Sequence, residues 1–190
     1  MDCKELRRKV IKKYFSEMND MQFEAVTAVN GPVLVLAGAG SGKTTVLVNR
    51  IANLVKFGDG YNSDYSRELT EQEVKWGEDY INGAADYVPN GVFSVLPVNP
   101  WNILAITFTN KAAGELKERI SAKITDGGED IWAGTFHSVC GKILRRYADR
   151  LGFTSHFTIY DTDDQRRLMK EIMRAKNIDD KILPHKSVLS

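Results

Sequence analysis

Val33-Leu34-Val35-Leu36-Ala37-Gly38-Ala39-Gly40-Ser41-Gly42-Lys43-Thr44 spans residues 33–44 and settles the architecture. Its first five residues form a short apolar run bounded by Pro32 and a glycine cluster, the pattern of a strand covered on both faces of a parallel sheet. The next five are poor in side chains. From Lys43 to about Phe57, the apolar residues Val46, Leu47, Ile51, Leu54 and Val55 fall on one helical stripe that ends near Gly58. Ala37 to Thr44 fits G-x-x-x-x-G-K-[ST] with alanine at its first position. Between a strand and a helix, the N–H groups of such a turn converge on phosphate oxygens, and glycine is needed where side chains would block the approach. Lys43 would meet the phosphates as a point charge and the Thr44 hydroxyl would hold Mg²⁺. A plain glycine-rich turn with an exposed lysine is the competing reading. It leaves the agreement of composition, spacing and context unexplained.

Strand–helix alternation continues on both sides. Asn19 is placed to cap a helix, with Gln22 three residues on and Phe23, Val26 and Val29 as its apolar positions; Asn30-Gly31-Pro32 stops it. Residues 102–107 (NILAIT) read as a second strand, and Lys111 to Ile124 as a helix through Ala113, Leu116, Ile120 and Ile124. Ile131-Trp132-Ala133 reads as a third strand. His137 to Leu151 follows as a helix with Val139, Ile143, Leu144, Tyr147 and Leu151 inward. Phe157 to Tyr160 suggests another strand, Asp161 a cap for a helix to about Lys176, and Pro184 the start of one more. This order means α/β. It predicts four parts: 1–57 with N-terminal helices and the glycine-loop unit, an acidic surface insertion at 58–100, further strand–helix units of the same domain at 101–176, and the start of another helical element at 177–190.

At 190 residues the chain makes about one domain. Its 43% hydrophobic and 27% charged content excludes disordered and fibrous classes. No apolar run approaches the roughly 18 residues of a membrane span, and the N-terminus lacks an uninterrupted apolar segment, so a cytoplasmic protein is expected. Cys3 and Cys140 show no metal or disulfide spacing, and His156 and His185 have no partners at ligand spacing. The net charge of +1 hides an asymmetry. Between Gly58 and Pro100 eight acids face two bases, a balance of −6, which leaves +7 for the remainder. A moderately basic body can accompany polyanion binding, though two ordinary solvated faces would look the same.

Two further loops carry chemistry. Thr107-Phe108-Thr109-Asn110 follows the second strand and Thr135-Phe136-His137 the third. In open α/β sheets the loops at the carboxyl ends of strands line the ligand crevice, so both are expected on the rim that holds the glycine loop. Hydroxyls, rings and amides suit single-stranded nucleic acid, whose bases stack on aromatic faces. Phe108 and Phe136 as core aromatics is an equally open reading of these residues.

LAGAGSGKTTVLVNRI, ILAITFTNKAAGELKERI and GTFHSVCGKILRRYADRLGF resemble the first blocks of the UvrD/Rep/PcrA-type superfamily 1 DNA helicases, as do NDMQFEAV and FTIYDTDDQ. The resemblance implies a P-loop NTPase (RecA-like) parallel sheet with helices on both faces, incomplete relative to the full motor domain. It implies that Gln22 reads adenine, that Ala37, Gly38, Ala39, Gly40, Ser41, Gly42, Lys43, Thr44 and Thr45 form the ATP site, and that Lys43 and Thr44 serve catalysis with Mg²⁺ on Thr44. It implies further that Thr107, Phe108, Thr109, Asn110, Thr135, Phe136 and His137 touch single-stranded DNA. The activity implied is ATP-driven 3′ to 5′ translocation with unwinding at duplex junctions.

Three departures qualify the match. The family's Asp-Glu strand, second motor domain and γ-phosphate-facing arginine have no counterpart here, so these residues are expected to be a fragment with little turnover of its own. Phe157 to Asp161 lacks the following glutamate. Thr45 stands where relatives often carry arginine. The 58–100 stretch replaces a short link and could dock a protein partner through Trp76, Tyr80 and Tyr87, or be a tolerated excursion. Two other classes stay open from the residues alone: a complete small P-loop kinase or NTPase, and a binding module with a vestigial P-loop.

Overall fold

The computed structural model describes residues 2–38, 40–154, 156–158, 162–179, 183–184 and 187–188. They fall into two units, Met1–Cys140 and Gly141–Ser190.

The first unit begins with α1 (Cys3–Tyr14), whose Leu6, Val10 and Ile11 lie on one face and are fully buried. Asn19 starts α2 (Asp20–Thr27) through a reciprocal capping box: its side chain accepts from the Gln22 N–H at 2.9 Å, and Gln22 Oε1 accepts from the Asn19 N–H at 3.3 Å. α3 (Lys43–Lys56) opens on Gly42 at φ +81°, in the left-handed region that a side chain disfavours. α2 packs on α3, and Arg50 reinforces the contact by donating to Ala25 O at 2.7 Å and to Ala28 O.

The acidic stretch contributes to the interior. A Thr70–Glu73 capping box starts α4 (Glu71–Ile81), which packs on α1, and Val88 and Phe93 are buried beside Leu6, Val10, Phe15 and Phe57. Burial of each such side chain contributes roughly 1.5–3 kcal/mol. Arg7 of α1, only 2% exposed, donates to Gly60 O at 2.6 Å, Tyr65 O at 2.8 Å and Ser63 O at 2.9 Å. A buried cation is tolerable when its donors are satisfied, and these carbonyls do that. Arg8 reaches Tyr61 O, and Lys4 pairs with Asp64. Gly58 (φ +58°) is where the chain leaves α3 and where Val95 returns to it; a Cβ there would stand 2.2 Å from Val95 O.

Beyond it, β1 (Leu104–Thr107), α5 (Asn110–Lys123) and β2 (Trp132–Thr135) form a parallel strand–helix–strand unit with register Leu104↔Trp132 through Thr107↔Thr135. Ala105, Ala133, Leu116 and Ile120 pack there against Val48, Ile51 and Ala52 of α3. All four apolar positions predicted for the α5 stripe are buried.

The run at 33–37 differs from the expected covered strand. It pairs with no strand among the described residues, and Leu34 and Leu36 are 83% and 88% exposed. An apolar run signals burial, but a strand also needs a ladder partner, and among the described residues the sheet holds β1 and β2 alone.

α6 (Phe136–Arg146) runs across the unit boundary, and a short 3-10 turn at Ala148–Leu151 follows it. Of its predicted inward stripe only Val139 is buried; Ile143, Leu144, Tyr147 and Leu151 are exposed, because helical periodicity marks an apolar face without supplying its cover. In the second unit Phe153 and Phe157 are neighbours, Arg145 lies over the Phe157 ring, and α7 (Thr162–Ala175) buries Met173. Phe157 and Thr158 are not in a strand; Ile159, Tyr160 and the predicted cap Asp161 lie outside the described residues, as does most of the helix expected from Pro184.

Candidate nucleotide and nucleic-acid site

Gln22 and Lys43 meet around the glycine turn. Lys43 Nζ donates to Ala37 O at 3.1 Å and Gly38 O at 2.5 Å, so its ammonium lies over the turn's own carbonyls. The turn is braced by Ser41, whose hydroxyl donates to Gly38 O at 2.8 Å. Gln22 Nε2 donates to Ser41 O at 3.3 Å, while its Oε1 holds the α2 cap. One amide thus ties the start of α2 to the turn. Gln22 and Lys43 line a cavity of about 760 Å³ together with Glu24, Ala25, Ser41 and the 32–38 segment, a volume in the range of small-ligand sites. Gly40 adopts φ +76°. Thr44 and Thr45 are exposed at the first turn of α3; Ala39 lies outside the described residues.

The parallel register places Thr107 opposite Thr135 at the carboxyl ends of β1 and β2, so the two aromatic loops share one end of the sheet. Phe108 is fully exposed and Phe136 is 59% exposed, which excludes the core-aromatic reading for both. Asn110 and His137 are also exposed. The threonines have local partners. Thr109 Oγ1 accepts from the Ala112 N–H and caps α5. Thr135 is buried; its Oγ1 accepts from the Ser138 N–H at the start of α6. Thr107 Oγ1 donates to Thr109 O. Each loop therefore spends hydroxyls on rigidity and presents its ring to solvent. Among the described residues no ladder joins the glycine turn to this end, the 33–37 run being unpaired.

Arg50 escaped the sequence reading. Its targets are backbone carbonyls, which leave no residue signature. Thr109 and Thr135 did carry one, since threonine directly before a helical stripe is a cap signal.

A glycine turn between an apolar run and a helix start, with a lysine over its carbonyls and an amide on its edge, defines an α/β domain of the P-loop class. The chain belongs to the UvrD/REP helicase N-terminal domain family, whose model matches residues 18–64 and 93–190. It is 40% identical over 180 residues to the ATP-dependent DNA helicase PcrA of Bacillus subtilis strain 168, an alignment covering 95% of this chain and 19% of that protein. The PcrA helicases of Staphylococcus aureus strain Mu50 and Staphylococcus epidermidis RP62A are each 42% identical, over 166 and 164 residues; 87% and 86% of this chain are covered, against 18% and 17% of theirs. The chain thus spans about a fifth of the length of these curated relatives. The family model leaves two stretches unmatched: 1–17, which holds α1, and 65–92, which holds α4 and the tip that follows it.

Proposed function

We propose that the chain is the N-terminal ATP- and single-stranded-DNA-binding part of an ATP-dependent 3′ to 5′ DNA helicase. The observation that carries this reading is the convergence of Gln22 and Lys43 on one glycine turn and one cavity. The Gln22 amide both donates and accepts, which matches the N6 and N7 edge of adenine. Glycine-turn N–H groups and the α3 N-terminus would hold the phosphates, with Lys43 as their point charge. Thr44 offers one oxygen to Mg²⁺, an ion that otherwise takes phosphate oxygens and water and neutralises charge during phosphoryl transfer. Among the described residues no group of three or more His, Cys, Asp or Glu side chains gathers as a metal site. Thr45 lies next to that helix start. At the sheet end, Phe108 and Phe136 would stack bases while Asn110, His137 and backbone amides of the Thr107–Thr109 and Thr135 loops hold phosphates. A cytoplasmic location fits this role; no helix among the described residues is long and apolar enough to cross a membrane.

Calorimetry with Mg-ATP and anisotropy with a single-stranded oligonucleotide test the reading. Lys43→Ala should abolish Mg-ATP binding. Phe108→Ala should weaken single-stranded DNA binding by about 1–3 kcal/mol and leave nucleotide binding intact. A vestigial P-loop would show no Mg-ATP binding to lose, and a small kinase no DNA binding.

A further inference from the structure

Far along α3 from the glycine turn, the C-terminal ends of α3 and α5 meet Tyr14 of α1 around a second cavity, of about 270 Å³. Two lysines line it. Lys56 Nζ lies 5.0 Å from the Tyr14 ring centroid and Lys123 Nζ lies 4.9 Å from it. Each lysine stands in the last turn of its helix, where positive charge complements the helix dipole. That accounts for either one alone, but not for both over a single ring, where like charges repel. Among the described residues neither has a carboxylate within 4 Å or a hydrogen bond to the protein. Lys56 is half-buried; burial first, and Lys123 second, push its ammonium below the ordinary lysine range, with Asp126 opposing. Asp126 accepts from Asn90 Nδ2 at 3.2 Å. Among side chains the wall therefore carries two positive charges against one negative, and Ser94 and Thr125 also line it.

We propose that this cavity binds a dianionic phosphate group between Lys56 and Lys123. Two ammonium groups match a phosphate monoester, which carries about −1.5 to −2 at neutral pH, better than a carboxylate or a phosphodiester. The monoester is the terminal phosphate of a nucleic acid or that of a small free compound. The site is separate from the glycine turn, since the two cavities share no lining residue.

The test follows the lysine Hε–Cε NMR signals in the Lys43→Ala chain, so that phosphate at the glycine turn contributes nothing. Inorganic phosphate is titrated against potassium chloride of equal ionic strength. Saturable shifts at both Lys56 and Lys123 at millimolar phosphate, absent in chloride, are expected. Lys56→Met should weaken the Lys123 response at least tenfold, and Lys123→Met, at an exposed position, should do the same to Lys56 should the first variant fold poorly. A 5′-phosphorylated oligonucleotide acting below the phosphate concentration, with its 5′-hydroxyl twin silent, supports the nucleic-acid terminus; both silent while phosphate acts supports a small compound. Equal shifts in chloride, an unchanged response in both methionine variants, or equal shifts from both oligonucleotides overturn the proposal.

Discussion

The α1 helix with its returning 58–95 loop and the 32–38 segment are both rich in apolar residues, yet they end in opposite conditions. In the first, Leu6, Val10 and Phe93 pack with Val26 of α2 and Phe57 at the end of α3, and the guanidinium of Arg7 is satisfied by three carbonyls. In the second, Leu34 and Leu36 face solvent and no ladder holds the backbone. The buried region is by composition the more polar of the two, so what decides burial is whether the partner elements stand beside the apolar residues. An apolar segment becomes structure only when a matching surface is within reach, and the cavity-lining run of this domain is the one without it.

Five measurements probe that contrast. Gly58→Ala should cost about 4 kcal/mol or more in urea unfolding, because it adds a clash with Val95 O to a left-handed backbone. Arg7→Met should cost about 3 kcal/mol by orphaning the carbonyls of Gly60, Ser63 and Tyr65; an unchanged midpoint would mean the first region is no more integrated than the second. Glu73→Gln should cost about 1 kcal/mol at neutral pH through the α4 cap. The Arg67 guanidinium, which clasps both carboxylate oxygens, and then the Thr70 N–H hold the Glu73 carboxyl at about 2 instead of 4.5. Folding thus favours its ionised form: the contribution is complete above about pH 4.5 and is lost as pH falls through about 2. A carboxyl carbon titration should place the midpoint there and see it rise in Arg67→Ala. Smallest of all, Leu34→Ser should change stability by no more than about 0.5 kcal/mol, given its exposure.

What could be read from the residues was local. The Asn19–Gln22 and Thr70–Glu73 boxes, the α5 stripe and the parallel strand–helix–strand unit all place cause and effect within a few turns of chain. The Arg7 clamp was hidden because its acceptors are carbonyls more than fifty residues away. The 33–37 run was read correctly as apolar and wrongly as covered, since periodicity says which face wants burial and not what supplies it. At the site, spacing gave Gln22 only a capping role and the family resemblance supplied an adenine role; the amide's second bond, to Ser41 O, was legible from neither. The rings of Phe108 and Phe136 had an even choice between core and solvent, decided by the caps that turn the chain at Thr109 and Thr135.

Where Val95 comes back to Gly58, the Asp59 N–H donates to Val95 O at 2.8 Å and the Val95 N–H to Phe57 O at 2.9 Å. The excursion from 59 to 94 is therefore a clasped ring whose mouth is already shut. Lengthening such a ring costs only logarithmically in chain entropy, so its tip at 82–86, exposed for most of its length, is a socket. A fluorophore or a foreign module fitted there would ride on the domain while the distance from α3 to β1 stayed as it is.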